Sequence, residues 1–416
     1  MTKIGIDFGT SFCSASWINP VTKRPEAVTF HETGTQKMPS VVYYQPDGNV
    51  LVGKTAYNYL EDAGLGKFSD EKRIELLSSI ITNIKLRLKP NGVTTIHDPN
   101  NIKGRKIAHQ TVVKDIFLKI KTEVEETCFD GEAVTDVTVT HPVNFDEWKK
   151  DTLKKAAMQA GFERVELYEE PVSAAMGYLE STEKRPSGIL VYDFGGGTFD
   201  AAYVTKGLDG TYRVPFPAEG DSACGGNDID RLLYEEWDKL ALREKGRSIG
   251  TDNKLDRGIL SRCRSNKETI SEVQQYTFNE MLPPPGFHRI SMTLERKRFN
   301  EIISPVIDKT IRITQNLLNK IKDGNYPLET VIMIGGSSRI PLISERLSGI
   351  LPAGVKLQKV LSVDVAVAKG ALCEKCLPTL PAAVAEQCHC GYCGKTIKRM
   401  AKHCGFCGKP NFMYGK

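Results

Sequence analysis

Two segments of this chain are written in nearly the same words. Ile4-Gly5-Ile6-Asp7-Phe8-Gly9-Thr10-Ser11-Phe12 recurs about 190 residues later as Leu190-Val191-Tyr192-Asp193-Phe194-Gly195-Gly196-Gly197-Thr198-Phe199-Asp200. Each reads as an apolar strand ending in Asp, then a glycine turn, a hydroxyl residue and a return strand. A single copy is no more than a tight hairpin. Two matched copies imply two similar lobes facing each other.

The pattern between and around the copies alternates strands with amphipathic helices, which predicts an α/β architecture. Strands are predicted at Lys3–Asp7, Val41–Tyr44, Val137–Thr140, Ile189–Asp193, Ala201–Val204 and Thr330–Ile334. Helices are predicted at 111–127, 146–160, 227–245, 256–272, 296–321 and 339–350, where apolar positions recur three to four apart. Pro283-Pro284-Pro285-Gly286 breaks the second half.

The repeated hairpin suits a nucleoside triphosphate. Glycines let backbone N–H groups approach phosphate oxygens, and the hydroxyl adds a donor. An Asp at the strand end can hold Mg²⁺ through water, because this hard ion gives up its waters reluctantly. A third glycine turn, Gly335-Gly336-Ser337-Ser338-Arg339-Ile340-Pro341, follows the strand around Val331–Ile334 and opens a helix. Small residues there would let a base or ribose lie against the backbone, and Arg339 can stack on a flat ring.

These three turns, with Glu170-Pro171-Val172-Ser173-Ala174-Ala175, together resemble the DnaK-type, seventy-kilodalton heat-shock chaperone family over residues 1 to about 375. The resemblance implies a bilobed, actin-like ATPase of two duplicated ribonuclease-H-like lobes, with ATP or ADP between them. It implies Asp7 and Asp193 as organisers of Mg²⁺, and Thr10 and Thr198 as phosphate contacts. Glu170 falls where the family has a carboxylate near the attacking water; a helix-capping carboxylate is the plainer alternative. The family's phosphate-facing lysine lies in an amphipathic helix, which Asn83-Ile84-Lys85-Leu86-Arg87 resembles. Lys85 is the expected match and Lys89 the fallback, against a solvated helix lysine. Gly9, Ser11, Phe12, Gly196, Gly197, Gly225, Gly226, Gly336, Ser337, Ser338, Arg339 and Asp364 would surround the nucleotide, and Lys267 and Ser271 match the adenosine-contacting helix. In that helix Arg264 stands where the family usually has Glu, and Glu268 where it has Arg, so a salt link between the two is expected with altered base contacts. Glu166 replaces the Arg that the family uses to dock J-domain co-chaperones, which disfavours an ordinary J-domain. Pro142 and Lys150 resemble the stretch that couples nucleotide state to lobe rotation.

The last part of the chain has a different character. Of 56 Lys and Arg, six lie in residues 388–416, which hold no Asp or Glu; the rest is nearly balanced, 50 basic against 51 acidic. The net charge of +5 therefore belongs to the tail, and charge gives the body no support for nucleic-acid binding. Seven of 11 cysteines follow residue 372. Cys390-Gly391-Tyr392-Cys393-Gly394-Lys395 and Cys404-Gly405-Phe406-Cys407-Gly408-Lys409 are near-copies whose four thiolates would complete a tetrahedral Zn²⁺ site; free or disulfide-bonded thiols are the alternative. Cys373 and Cys376 read as small hydrophobes on the body's last helix. The ribbon's lysines and aromatics would serve nucleic-acid binding or, slightly favoured, protein docking.

The expected division is an ATPase lobe over 1–185, a second over 186–376, a Pro-containing linker over 377–387 and a zinc ribbon over 388–416. The 44 residues after Leu372 are too few for the family's peptide-gripping β-sandwich, so an ATPase switch without that domain is expected, working with a protein partner or client. An actin-like, nucleotide-dependent scaffold with weak ATPase activity is the alternative. No apolar run reaches the ~20 residues that span a bilayer. The N-terminus enters a strand pattern at once, so a cytoplasmic protein with no membrane partner is expected.

Overall fold

The computed structural model describes residues 2–373, apart from 65–66, 208–209, 211, 251–256, 282–288 and 360–362, together with two short strands in the tail. The first half builds a sheet from β1 (Lys3–Asp7), β2 (Phe12–Ile18), β3 (Pro25–Ala27), β4 (Asp136–His141) and β5 (Arg164–Glu169), in the order β5-β4-β1-β2-β3. The second builds another from β6 (Gly188–Phe194), β7 (Phe199–Lys206), β8 (Tyr212–Arg213), β9 (Thr330–Ile334) and β10 (Lys356–Lys359), in the order β8-β7-β6-β9-β10. The two orders are the same when the strands are matched in sequence. In each, the antiparallel hairpin sits in the middle and two parallel strands extend one side. The repeat seen in sequence is thus a repeat of topology. Asp7 lies opposite Ser14 at the end of one hairpin, and Asp193 opposite Asp200 in the other.

Parallel strands covered on both faces often read as continuous apolar runs, as β9 nearly does; β4 is buried along its whole length too but alternates Val137 and Val139 with Thr138 and Thr140. One core gathers Ile4, Ile6, Phe8, Val137 and Val139 with helix His109–Cys128. The other gathers Leu190, Tyr192, Phe199 and Val331 with Trp237 and Phe299 from the long helices. A third cluster joins the halves. Helix α1 (Glu170–Glu180), from the first half, lays Ala174, Ala175 and Leu179 on Ile189, Val191 and Ile332 of the second sheet. Helix α2 (Val363–Gly370), which follows the last strand of the second sheet, returns to the first sheet, where Ser16 Oγ donates to the Ala368 carbonyl at 2.6 Å. The two helices cross so closely that a Cβ on Gly370 would stand 1.6 Å from the Ser173 carbonyl oxygen. Only a missing side chain permits that approach.

On the far side of the cleft, helix Lys54–Gly64 packs against helix Arg257–Ile270, with a side-chain hydrogen bond between Tyr57 and Ser261. The proline break falls between the paired strands Gln275–Met281 and Arg289–Glu295. Cys373 follows α2 rather than lying on it, because the helix ends at Gly370; Cys376 lies outside the described residues. In the tail, Gln387–His389 pairs antiparallel with Thr396–Lys398, bracketing the first C-x-x-C segment in sequence. The four expected zinc ligands, Cys390, Cys393, Cys404 and Cys407, lie outside the described residues. Among the described residues no helix is long and apolar enough to cross a membrane.

Candidate functional site

The two hairpins face each other across a cleft of about 350 Å³. Their contact is tight, since a Cβ on Gly196 would fall 2.4 Å from Ser11 Oγ. The first hairpin is braced from below: Ser40 Oγ donates to the Gly9 carbonyl at 2.8 Å and the Ser40 N–H to the Ser11 carbonyl at 2.9 Å. Gly335 turns in the left-handed region at φ 78°, where a Cβ would meet Phe194 O at 2.4 Å and Asp193 Oδ1 at 2.8 Å. That glycine lets the third turn close against the second hairpin, and Ser337 Oγ ties the two by donating to the Gly195 carbonyl at 2.9 Å.

Carboxylates crowd the inner end. Lys85 Nζ donates to Glu170 Oε1 at 2.5 Å, both side chains being almost fully buried. Burial alone would lower the Lys85 ammonium, but the charges of Glu170, Asp7 and Asp193 outweigh it and raise it. Thr140 Oγ1 donates to Asp7 Oδ1 at 3.2 Å. Burial lifts the Asp193 carboxyl well above its usual range, and the charges of Glu170, Asp200 and Asp7 push the same way. Asp200 is pushed up to about 7, first by burial and then by Glu170. A set of four acids against one lysine is short of positive charge.

The other end belongs to the helix Arg257–Ile270. Its Lys267 Nζ sits 2.7 Å from Asp230 Oδ1 and donates to the Gly226 carbonyl at 3.0 Å. The expected Arg264–Glu268 link does not define this helix. Arg264 instead reaches Asn227 Oδ1 at 3.0 Å and Asp230 at 3.6 Å. The reason is burial: Asp230 is 2 % exposed and draws both cations, whereas Glu268 faces solvent.

Of the residues expected from sequence, Asp7, Gly9, Thr10, Ser11, Phe12, Lys85, Glu170, Asp193, Gly196, Thr198, Lys267, Ser271, Gly336, Ser337 and Arg339 all line this one cleft. Gly197, Gly225, Gly226 and Ser338 lie behind the lining as backbone support, with the Gly226 N–H donating to the Gly195 carbonyl at 3.0 Å. Asp364 opens helix α2. Lys89 is exposed, so Lys85 rather than the fallback is the lysine of the cleft. Its segment is a single turn, Ile84–Arg87, and not an amphipathic helix: Asn83 enters it in the left-handed region, and Pro90 disfavours helix just beyond. Sequence reasoning missed several side chains, among them Cys13 and Glu272, which line the cleft. Asp200 stood inside the quoted motif, but nothing in its spacing announced the shifted carboxyl. Asn227 lines the cleft with its Nδ2 buried and unpartnered. Lys37 lines it too, its ammonium 5.5 Å from the Phe12 ring centroid.

Duplicated hairpin sheets gripping a carboxylate-rich cleft define an actin-like ATPase fold. The Hsp70 protein family model matches residues 3–376, and the chain belongs to the Hsp70 family. Similar relatives include the chaperone protein DnaK of Nitrosopumilus maritimus (strain SCM1), 28% identical over 375 residues that cover 88% of this chain and 55% of that one. The chaperone protein DnaK of Emiliania huxleyi is 28% identical over 378 residues, covering 88% and 59%. The chain thus spans somewhat more than half the length of these relatives. Hsp70 proteins are ATPases that bind ATP and ADP with Mg²⁺.

Proposed function

We propose that this protein is an ATP-hydrolysing, chaperone-like switch of the DnaK type, slow on its own and stimulated by a protein partner. The observation that carries the reading is the buried Lys85–Glu170 pair set between two matched Asp-bearing hairpins. The reaction is in-line attack of water on the terminal phosphorus, in which positioning and charge neutralisation do most of the work. Lys85 faces the phosphates, Glu170 orients the water, and Thr10 and Thr198 donate to phosphate oxygens. Among the described residues no three His, Cys, Asp or Glu converge to ligate an ion directly. Asp7 and Asp193 suit Mg²⁺ held through its own waters, and their surplus negative charge fits such an ion. When bound, Mg²⁺ would supply charge neutralisation along the triphosphate.

Finer parts of the reading follow from other residues. Glu166 Oε2 accepts from Lys3 Nζ at 2.6 Å on the surface, so the reversed charge disfavours an ordinary J-domain there. Cys390, Cys393, Cys404 and Cys407 of the tail hold Zn²⁺, supported by the two C-x-x-C-G segments and by the strand pair around the first. The resulting ribbon docks a protein, with nucleic acid as its other candidate ligand. Phosphate release from the wild type, Asp193→Asn and Thr198→Ala tests the core of this: both variants should lose turnover while circular dichroism stays unchanged. Unchanged turnover in both would remove the second hairpin from the site.

A further inference from the structure

Behind Lys85 lies a second cavity of about 70 Å³, several times the ~10–15 Å³ that one water needs. It shares Lys85 and Thr198 with the main cleft. Its deep wall, Lys85, Thr198 and Asp200, is buried, whereas Asn144 and Ser222 at its rim are exposed. Lys149 stands between, its ammonium 5.2 Å from the Phe145 ring centroid. None of the side chains from the helix Arg257–Ile270 lines it. The cavity therefore runs from the innermost end of the cleft to the surface, away from the nucleoside end.

A nucleotide whose phosphates enter first has its terminal phosphate deepest. Once that bond is cut, ADP stands between the product and the cleft mouth. From deep wall to rim the cavity is lined by groups that suit an anion: the Lys85 and Lys149 ammoniums, the Thr198 and Ser222 hydroxyls and the Asn144 amide. Asp200 is the one carboxylate among the lining residues.

We infer that this second cavity is an orthophosphate site and exit, which carries the hydrolysis product from Lys85 and Thr198 to the surface between Asn144, Lys149 and Ser222 while ADP is still bound. The inference rests on the ATPase reading above. It also places the leaving product against Pro142–Phe145, the loop that joins β4 to the helix Glu147–Gln159.

Single-turnover kinetics test it, with acid quench reading bond cleavage and a fluorescent phosphate sensor reading release. In Ser222→Trp, which fills the rim, cleavage should keep its wild-type rate while release slows roughly tenfold, as expected when product departure becomes limiting. Lys149→Ala should weaken inorganic phosphate binding to the ADP complex roughly tenfold, the loss of one charge-assisted hydrogen bond. Release that keeps pace with cleavage in Ser222→Trp, or that tracks ADP dissociation in the wild type, would overturn the exit alone. Unaltered phosphate binding in Lys149→Ala would overturn the site. A wild type that cleaves no ATP would overturn the ATPase reading and the exit with it.

Discussion

Lys85 and Glu170 form a buried ion pair, with Glu170 the foremost of the acids that hold the Lys85 ammonium. Removing one partner of such a buried pair leaves an uncompensated charge, which typically costs about 3–5 kcal/mol, while removing both is often nearly neutral. Lys85→Met and Glu170→Gln should each lower the melting temperature and abolish turnover. The double variant should recover much of the stability and none of the activity. Thermal denaturation of the four proteins checks this; additive losses would show that the pair is not coupled. Asp200 sets a pH dependence. Its folded value of about 7 lies above its ordinary 3.8, so between the two the folded state keeps a proton that the unfolded chain has released. This group's contribution to stability is therefore greatest below about pH 4, falls as pH rises to about 7 and is flat above. The span is at most about 4 kcal/mol, at 1.36 kcal/mol per unit. Asp200→Asn should remove it, gaining on the wild type between pH 5 and 8 in nucleotide-free melts. A constant difference across that range would contradict the shift. At this scale the sequence was legible wherever a residue sits in a motif turn, as Asp7, Thr10 and Asp193 do. It was silent on Asn227 and Lys37, which reach the cleft through packing between distant segments.

The elements that position the site are joined by helices that touch at their backbones. Gly370 lies against the Ser173 carbonyl, and Gly177 would carry a Cβ 2.0 Å from the Ala366 carbonyl oxygen. Gly370→Ala should push α1 and α2 apart and destabilise by roughly 1–3 kcal/mol or more, as overpacking does. Gly349, on the exposed side of the helix Pro341–Ile350, meets nothing within 4 Å, so Gly349→Ala should stabilise by up to about 1 kcal/mol. Denaturant melts of the two variants make the comparison; equal effects would mean that the crossing is looser than described. Long amphipathic helices such as His109–Cys128 and Arg296–Asp323 were readable from periodicity to within two residues. Of the two crossing helices, the body's last was expected too far along the chain, at Cys373, and α1 was not read as a helix. Glu170–Glu180 is buried along nearly its whole length, and a helix buried all round has no polar stripe to betray its period.

For the molecule as a whole, the duplicated hairpin carried the most information, because it encodes both the two-sheet topology and the cleft between the sheets. What it could not convey is how the ends interlock: α2 closes the second half yet packs on the first sheet. The tail is a separate physical problem, since the proposed ribbon of about 25 residues would bury too little to fold without a metal. One zinc per chain is expected by elemental analysis, lost in a Cys404→Ser, Cys407→Ser double variant; a zinc-free wild type would contradict the ribbon. Everything proposed for the cleft depends on its binding and cleaving ATP. Calorimetric titration of the purified protein with ATP and Mg²⁺, run beside a phosphate-release time course, tests it most directly. Saturable binding at one nucleotide per chain is expected, followed by slow phosphate release that Asp193→Asn abolishes. Absence of saturable binding would contradict the ATPase reading.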